Sequence, residues 1–187
     1  VSHADAVGDA IKAAIAAIDD ESEDVIRDVW RAVAHELLSA SLPRTAEIAL
    51  SAAQGGLSNG SPIAFNSIAG SLADDSLVSL SSGRVTLVDG HTYRVHVDFF
   101  ASFNSPDGFA NFQIRTPGNS VLTGDSGVAV RHLDLESDSS LSRRDSEAIE
   151  FVKTANGADV EFDVDLVSNT RLNQVLAGAR IVITEVR

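Results

Sequence analysis

Asp159-Val160-Glu161-Phe162-Asp163-Val164-Asp165-Leu166 alternates acid and hydrocarbon without a break. Successive side chains of an extended strand point to opposite faces, so Val160, Phe162, Val164 and Leu166 share one face and the four acids share the other. A helix would scatter the same residues around its circumference. Residues 158–167 therefore read as a strand with one face on a core and one in water, the pattern of an antiparallel sheet.

The same period recurs upstream. Over 92–103, Tyr93, Val95, Val97 and Phe99 oppose Arg94, His96 and Asp98. Phe109–Thr116 and Ala148–Thr154 are further strands, and Arg84–Val88 is another. Turn residues separate them: Asp89-Gly90, Ser105-Pro106-Asp107-Gly108 and Asn156-Gly157, the last predicting a tight hairpin into the acidic strand. Short strands at this spacing, with no strand–helix alternation after residue 61, predict a mainly β fold, an antiparallel β-sandwich of the jelly-roll kind. Ile181-Val182-Ile183 breaks the alternation and implies burial on both faces. The second face belongs either to a neighbouring subunit or to the N-terminal segment.

Residues 3–54 differ in composition, being rich in alanine. Ser2 is placed to cap a helix bearing Val7, Ile11, Ile15 and Ile18 at intervals of three and four. Asp20 followed by Glu23 is a capping signature for a second helix. Its stripe is Ile26, Val29, Trp30, Val33 and Leu37. Pro43 suits the first turn of a third short helix ending at Gly55-Gly56. The expected organisation is thus an α-helical N-terminal segment over 1–56 and a jelly-roll domain over 57–187. A segment of this size needs a surface to pack on. The stripe reads equally as buried packing and as an anchor that docks in a partner's groove.

The chain has 187 residues, 44% of them hydrophobic, enough for a core. It has no cysteine, which excludes disulfides, thiolate metal sites and cysteine nucleophiles. The net charge of −13 lacks the basic footprint of a nucleic-acid or anionic-lipid binder. No apolar run approaches the roughly 18–20 residues that cross a bilayer, and no signal peptide is visible. Neither nucleic acid nor membrane is expected as a partner.

Two stretches carry a family resemblance: Gly83-Arg84-Val85-Thr86-Leu87-Val88-Asp89-Gly90-His91-Thr92-Tyr93-Arg94-Val95, and Ala179-Arg180-Ile181-Val182-Ile183-Thr184-Glu185-Val186. Together they resemble jelly-roll domains similar to the tumour-necrosis-factor and complement globular-head superfamily, as found in bacteriophage head-decoration proteins and fibres. The resemblance covers about residues 61–187 and leaves out the N-terminal segment. It implies a homotrimer with a structural or binding role, located on a virion capsid or fibre, with the major capsid protein or another virion component as partner. It places Ile181, Val182 and Ile183 at the trimer interface. The N-terminal segment would dock on the shell through Ile26, Val29, Trp30, Val33 and Leu37. It supplies no catalytic, cofactor-binding or metal-binding residue, and no enzyme is expected. The alternative on the same fold is a receptor- or carbohydrate-binding module at a tail-fibre tip.

Three constellations compete with that reading. Gly124-Asp125-Ser126-Gly127 looks like the nucleophile motif of chymotrypsin-like proteases, but Val128 stands where a further glycine is expected and no histidine has the matching context. A structural turn is the preferred reading. The acidic row Asp159, Glu161, Asp163 and Asp165 has the oxygens calcium takes, yet a flat strand face diverges where a calcium site converges. A solvated face paired with arginines such as Arg94 or Arg115 is preferred. His91, His96 and His132 would make a metal site only by meeting on a symmetry axis, and their spacing does not call for it. The polar stretch 137–146 is read as a surface loop, a common place for recognition.

Overall fold

The structure is a computed structural model. It describes residues 9, 12–13, 28–34, 43–104, 107–127, 133–136 and 144–186, with backbone only at 133–136 and 144–147. Two compact units divide the chain, Val1–Pro43 and Arg44–Arg187. In the first, residues 28–34 are helical, with Val33 buried, Val29 half-buried and Trp30 58% exposed. Ile26, Leu37, Ser2 and the apolar residues expected on the first helix lie outside the described residues, as does His132.

The second unit is built from β1 (Thr45–Ala49), β2 (Gln54–Gly55), β3 (Ser67–Ala69), β4 (Val78–Ser81), β5 (Arg84–Leu87), β6 (Thr92–Phe103), β7 (Phe109–Arg115), β8 (Leu133–Glu136), β9 (Arg144–Thr154), β10 (Val160–Thr170), β11 (Leu172–Val175) and β12 (Arg180–Val186). All pairings are antiparallel. One sheet holds β9-β6-β12-β1-β3, extended by β11 and β2, and the other is β4-β5-β10-β7-β8. From β5 onward the chain passes between sheets repeatedly: β5 to β6, β6 to β7, β8 to β9, β9 to β10 and β10 to β11. That is a jelly roll.

β6 is the longest strand, with 12 residues. One edge pairs with β9 from Thr92↔Thr154 to Ser102↔Arg144. The other pairs with β12 over 92–98 and with β11 over 101–103, so β11 and β12 run along β6 as a single interrupted strand. Tyr93, Val95, Val97, Phe99 and Ala101 are all fully buried. Facing them from the second sheet are Val85, Leu87, Phe112, Ile114, Phe162, Val164 and Leu166. Aromatic rings couple the layers: Phe99 lies 4.5 Å from Phe112 between ring centroids, and Phe151 meets Phe162 edge-on at 6.3 Å. The Tyr93 hydroxyl donates to the carbonyls of Val88 at 3.0 Å and Leu77 at 3.2 Å, which gives the buried ring a satisfied polar end. Burial, then the neighbouring Glu185 carboxylate, pushes this phenol up to about 12.

Two sequence expectations are corrected. Residues 45–49 form a strand in place of a third helix, because Ala46, Ile48 and Leu50 are buried while Thr45, Glu47 and Ala49 alternate with them. β1 pairs with β12 from Thr45↔Thr184 to Ala49↔Arg180, so the sandwich starts at Arg44, before the boundary expected at 56. Asn156-Gly157 makes no hairpin either, since β9 and β10 belong to different sheets. Asp89-Gly90 likewise joins β5 to β6 across the sandwich. The two crossovers clasp each other. The Asp89 carboxylate accepts the Gly157 N–H at 2.7 Å, the Asp159 carboxylate accepts the Asp89 N–H at 2.9 Å, and the Gly90 N–H donates to the Ala155 carbonyl at 2.9 Å.

Gly70 leads from β3 into a one-turn helix, Ser71–Asp74, whose Leu72 is buried. Its φ is +111°, and a Cβ there would run into the Thr45 carbonyl oxygen of β1. Gly90, at φ +86°, faces open space. Gly70→Ala is expected to cost about 2–4 kcal/mol through backbone strain and overpacking. Gly90→Ala is expected to cost about 1 kcal/mol from its left-handed backbone alone. Denaturant midpoints of the two variants check this ordering.

Candidate functional site

Each sheet presents an outer face. On the large sheet it is built by alternate residues of β1, β12, β6 and β9. Register aligns them in rows: Glu47, Val182, His96 and Glu150 form one, and Ala49, Arg180, Asp98 and Ala148 the next. Thr45, Thr184, Arg94 and Val152 form a third. The charges are cross-linked. Arg180 Nε donates to Asp98 at 2.9 Å, His96 Nε2 lies 2.9 Å from the same carboxylate, and His96 Nδ1 lies 3.7 Å from Glu150. Arg94 Nε reaches Glu150 at 3.7 Å. Burial works to raise the Asp98 carboxyl, but hydrogen bonds from Arg180 and His96 outweigh it and hold the group below the ordinary carboxylate range. Beside these charges lie half-buried Val182 and exposed Val152, and exposed Val186 ends the face in a row with Thr92 and Thr154.

Of the three residues expected at a subunit interface, Ile181 and Ile183 are fully buried in the sandwich core. They occupy inward positions of β12 and cannot meet a neighbour. Only Val182 faces outward. The apolar run is therefore two core residues flanking one surface residue.

The acidic row lies on the outer face of the smaller sheet. Its main partner is Arg84 of β5, whose Nη2 bonds Asp163 at 2.9 Å, with Nε at 3.2 Å from the same oxygen and Glu161 at 3.9 Å. Arg94 belongs to the other sheet. Arg115 stands opposite Asp163 in register but turns its guanidinium to Gln113 and Asn119. Asp165 differs from its neighbours: burial, then the Asp163 charge, raises its carboxyl, with Arg115 and Arg84 offsetting only part. Asp159 is engaged by the crossover clasp. Among the described residues no group of three His, Asp or Glu side chains is placed to hold a metal ion.

Gly124-Asp125-Ser126-Gly127 is a turn closed by the Gly127 N–H on the Gly124 carbonyl at 2.9 Å. Asp125 ties it to β9, accepting from the Thr154 N–H at 2.8 Å and the Thr154 hydroxyl at 2.6 Å. Burial tends to raise this carboxyl, but the Thr154 bonds and the Lys153 charge lower it on balance. The described histidines near the sheet, His91 and His96, are bonded to Glu185 at 2.8 Å and to Asp98. The arrangement that nucleophilic catalysis needs, a histidine bonded to Ser126, is not formed among the described residues.

An open cleft of about 560 Å³ lies between the 116–123 loop and the start of β10, with Lys153 in its wall. The Lys153 ammonium is already bonded to the Thr123 carbonyl at 2.9 Å. A smaller apolar hollow of about 350 Å³ is lined by Ala53, Phe100, Leu176 and Ala177.

No protein-family model and no curated protein matches the chain. Among solved structures, the sandwich is similar to Eiger TNF from S. frugiperda (TM-score 0.49, 14% identity, covering 78% of this chain and 94% of that one). It is also similar to murine APRIL at pH 5.0 (TM-score 0.47, 8% identity, covering 78% of this chain and all of that one). The jelly-roll assignment itself rests on the strand order and register described above.

The two perturbed aspartates give opposite pH behaviour. Asp98 has a depressed folded-state value, so its stabilisation is present above the unfolded carboxylate range and is lost as pH falls through the folded one. Asp165 is raised, so its charge opposes folding at neutral pH and the penalty disappears on acidification. Asp98→Asn is expected to lower stability at pH 7, and Asp165→Asn to raise it, each by less than about 1 kcal/mol. Both differences should shrink in acid, as urea midpoints measured across the pH range would show.

Proposed function

We propose that this chain is a structural, self-associating protein, a homotrimer that decorates or cements a virion shell or forms a head fibre. The observation that carries self-association is the outer face of the large sheet. It places Val182 and Val152 beside charges of both signs, with exposed Val186 at the end of the same face. Apolar residues beside paired charges suit a face that another copy covers, with the hydrocarbon giving affinity and the charges fixing register. The virion setting rests on the sequence resemblance, as does the number of copies. The helical stretch with Trp30 exposed suits an anchor, and three linked anchors would raise avidity for the shell without strong individual contacts.

A glycan- or receptor-binding role at a fibre tip has less support. Sugar platforms use exposed aromatic rings, and Tyr93 is wholly buried, leaving Trp30 and Phe109 as the exposed large aromatics among the described residues.

Light scattering on the full chain tests the proposal. The expected mass is three times that of the chain, and Val182→Glu is expected to give a monomer whose melting is little changed. A monomeric parent chain overturns the reading, and a trimer that survives Val182→Glu moves the interface elsewhere. A shortened chain for the same measurement should begin at Arg44, because a start at residue 57 would remove β1 and β2 from the sheet.

A further inference from the structure

The chain contains two Asn-Gly sequences, Asn59-Gly60 and Asn156-Gly157. This dipeptide is the one most open to spontaneous deamidation, because glycine places no side chain between the asparagine amide and the following backbone nitrogen. The two differ in how they are held. The Asn59 amide oxygen accepts from Asn169 Nδ2 at 3.0 Å, and the Gly60 N–H is committed to the Leu166 carbonyl at 2.6 Å. Asn156 is exposed, and no hydrogen bond engages its side chain among the described residues. Both glycines stand in open space, so the difference lies in the asparagine side chains and in what each glycine N–H meets. What restrains Gly157 is one contact, its N–H on the Asp89 carboxylate at 2.7 Å.

We propose that Asn156 is a self-modification site whose reaction is held back by Asp89. The reaction needs no enzyme and no cofactor. The Gly157 nitrogen gives its proton to solvent base and bonds to the Asn156 side-chain carbonyl carbon. The bond from that carbon to the amide nitrogen breaks and ammonia leaves. Water then opens the succinimide ring at either carbonyl, leaving aspartate or isoaspartate. A carboxylate bonded to the Gly157 N–H opposes its ionisation. While the crossover clasp is closed the site is therefore protected, and opening it releases the reaction. The product closes off return. A new carboxylate joins a turn that already holds Asp89 and Asp159, and isoaspartate lengthens the backbone by one carbon just before the bonded nitrogen.

The test is peptide mapping by mass spectrometry after incubating the full chain at mildly alkaline pH, with the amide-to-acid mass increment read separately at each Asn-Gly. The expected result is conversion at Asn156 ahead of Asn59. In Asp89→Ala, which removes the acceptor without creating a further Asn-Gly sequence, conversion at Asn156 should be at least about tenfold faster, the factor corresponding to loss of one hydrogen bond to a charged group, with Asn59 unchanged. Asn156→Gln should abolish the increment in that peptide. Hydrogen exchange on the parent chain tests the restraint without any substitution, and the Gly157 amide is expected to be protected. Conversion at Asn59 first, an unaltered rate at Asn156 in Asp89→Ala, or a Gly157 amide exchanging as freely as an unstructured one would each overturn the proposal.

Discussion

The two-sided pairing of β6 is the constraint on which the sandwich depends. Its inward residues from Tyr93 to Ala101 are fully buried, and its backbone is hydrogen-bonded to β9 on one edge and to β11 and β12 on the other. A one-residue slip would turn Arg94, His96 and Asp98 into the core and expose five buried side chains, so the hydrophobic pattern allows one register. That register then aligns the outer rows. His96 faces Glu150 and Val182, and Asp98 faces Arg180, because the strand carrying them is fixed from its other face. The surface that the proposed assembly uses is thus set by the core beneath it.

Sequence patterning was informative where chemistry alternated sharply. The strand read over 92–103 is Thr92–Phe103, and the acidic strand is Val160–Thr170, with Phe162, Val164 and Leu166 inward as its alternation demanded. It failed at 45–49. Ala46 and Ala49 have high helix propensity and small side chains, so the period of two was carried by little more than Ile48 and Leu50. Pairing with β12 decided what local propensity could not. The turn dipeptides show a different limit. Asp89-Gly90 and Asn156-Gly157 do turn, each with glycine at φ +86°, but local backbone preference does not say whether the next strand joins the same sheet or the facing one. The mutual clasp of those turns depends on residues 70 positions apart in sequence and left no local signal.

The candidate site was partly legible for a related reason. An unbroken run such as Ile181-Val182-Ile183 signals that both faces are covered or nearly so. It does not say which residue faces which way, and the inward pair proved to be the two isoleucines. The charge lattice around Val182 could not be read at all, because Glu47, Arg94, His96, Asp98, Glu150 and Arg180 come from four strands spread along the chain. Composition gave only the net charge of −13, whereas the structure shows much of the acidity engaged locally: Asp98 by Arg180 and His96, Asp163 by Arg84, Glu185 by Arg44 and His91.

The same engagement holds the protease-like motif as a turn. Asp125 and Ser126 sit in a sequence that elsewhere supports a nucleophile, yet Asp125 spends both carboxylate oxygens on Thr154. Those bonds attach the 121–127 segment, which extends from the smaller sheet through the Arg115↔Val121 bridge, to β9 of the larger one. A turn so tied keeps Ser126 exposed at the surface. Asp125 braces a turn, Asp89 and Asp159 clasp two crossovers, and Asp163 pairs with Arg84 across strands.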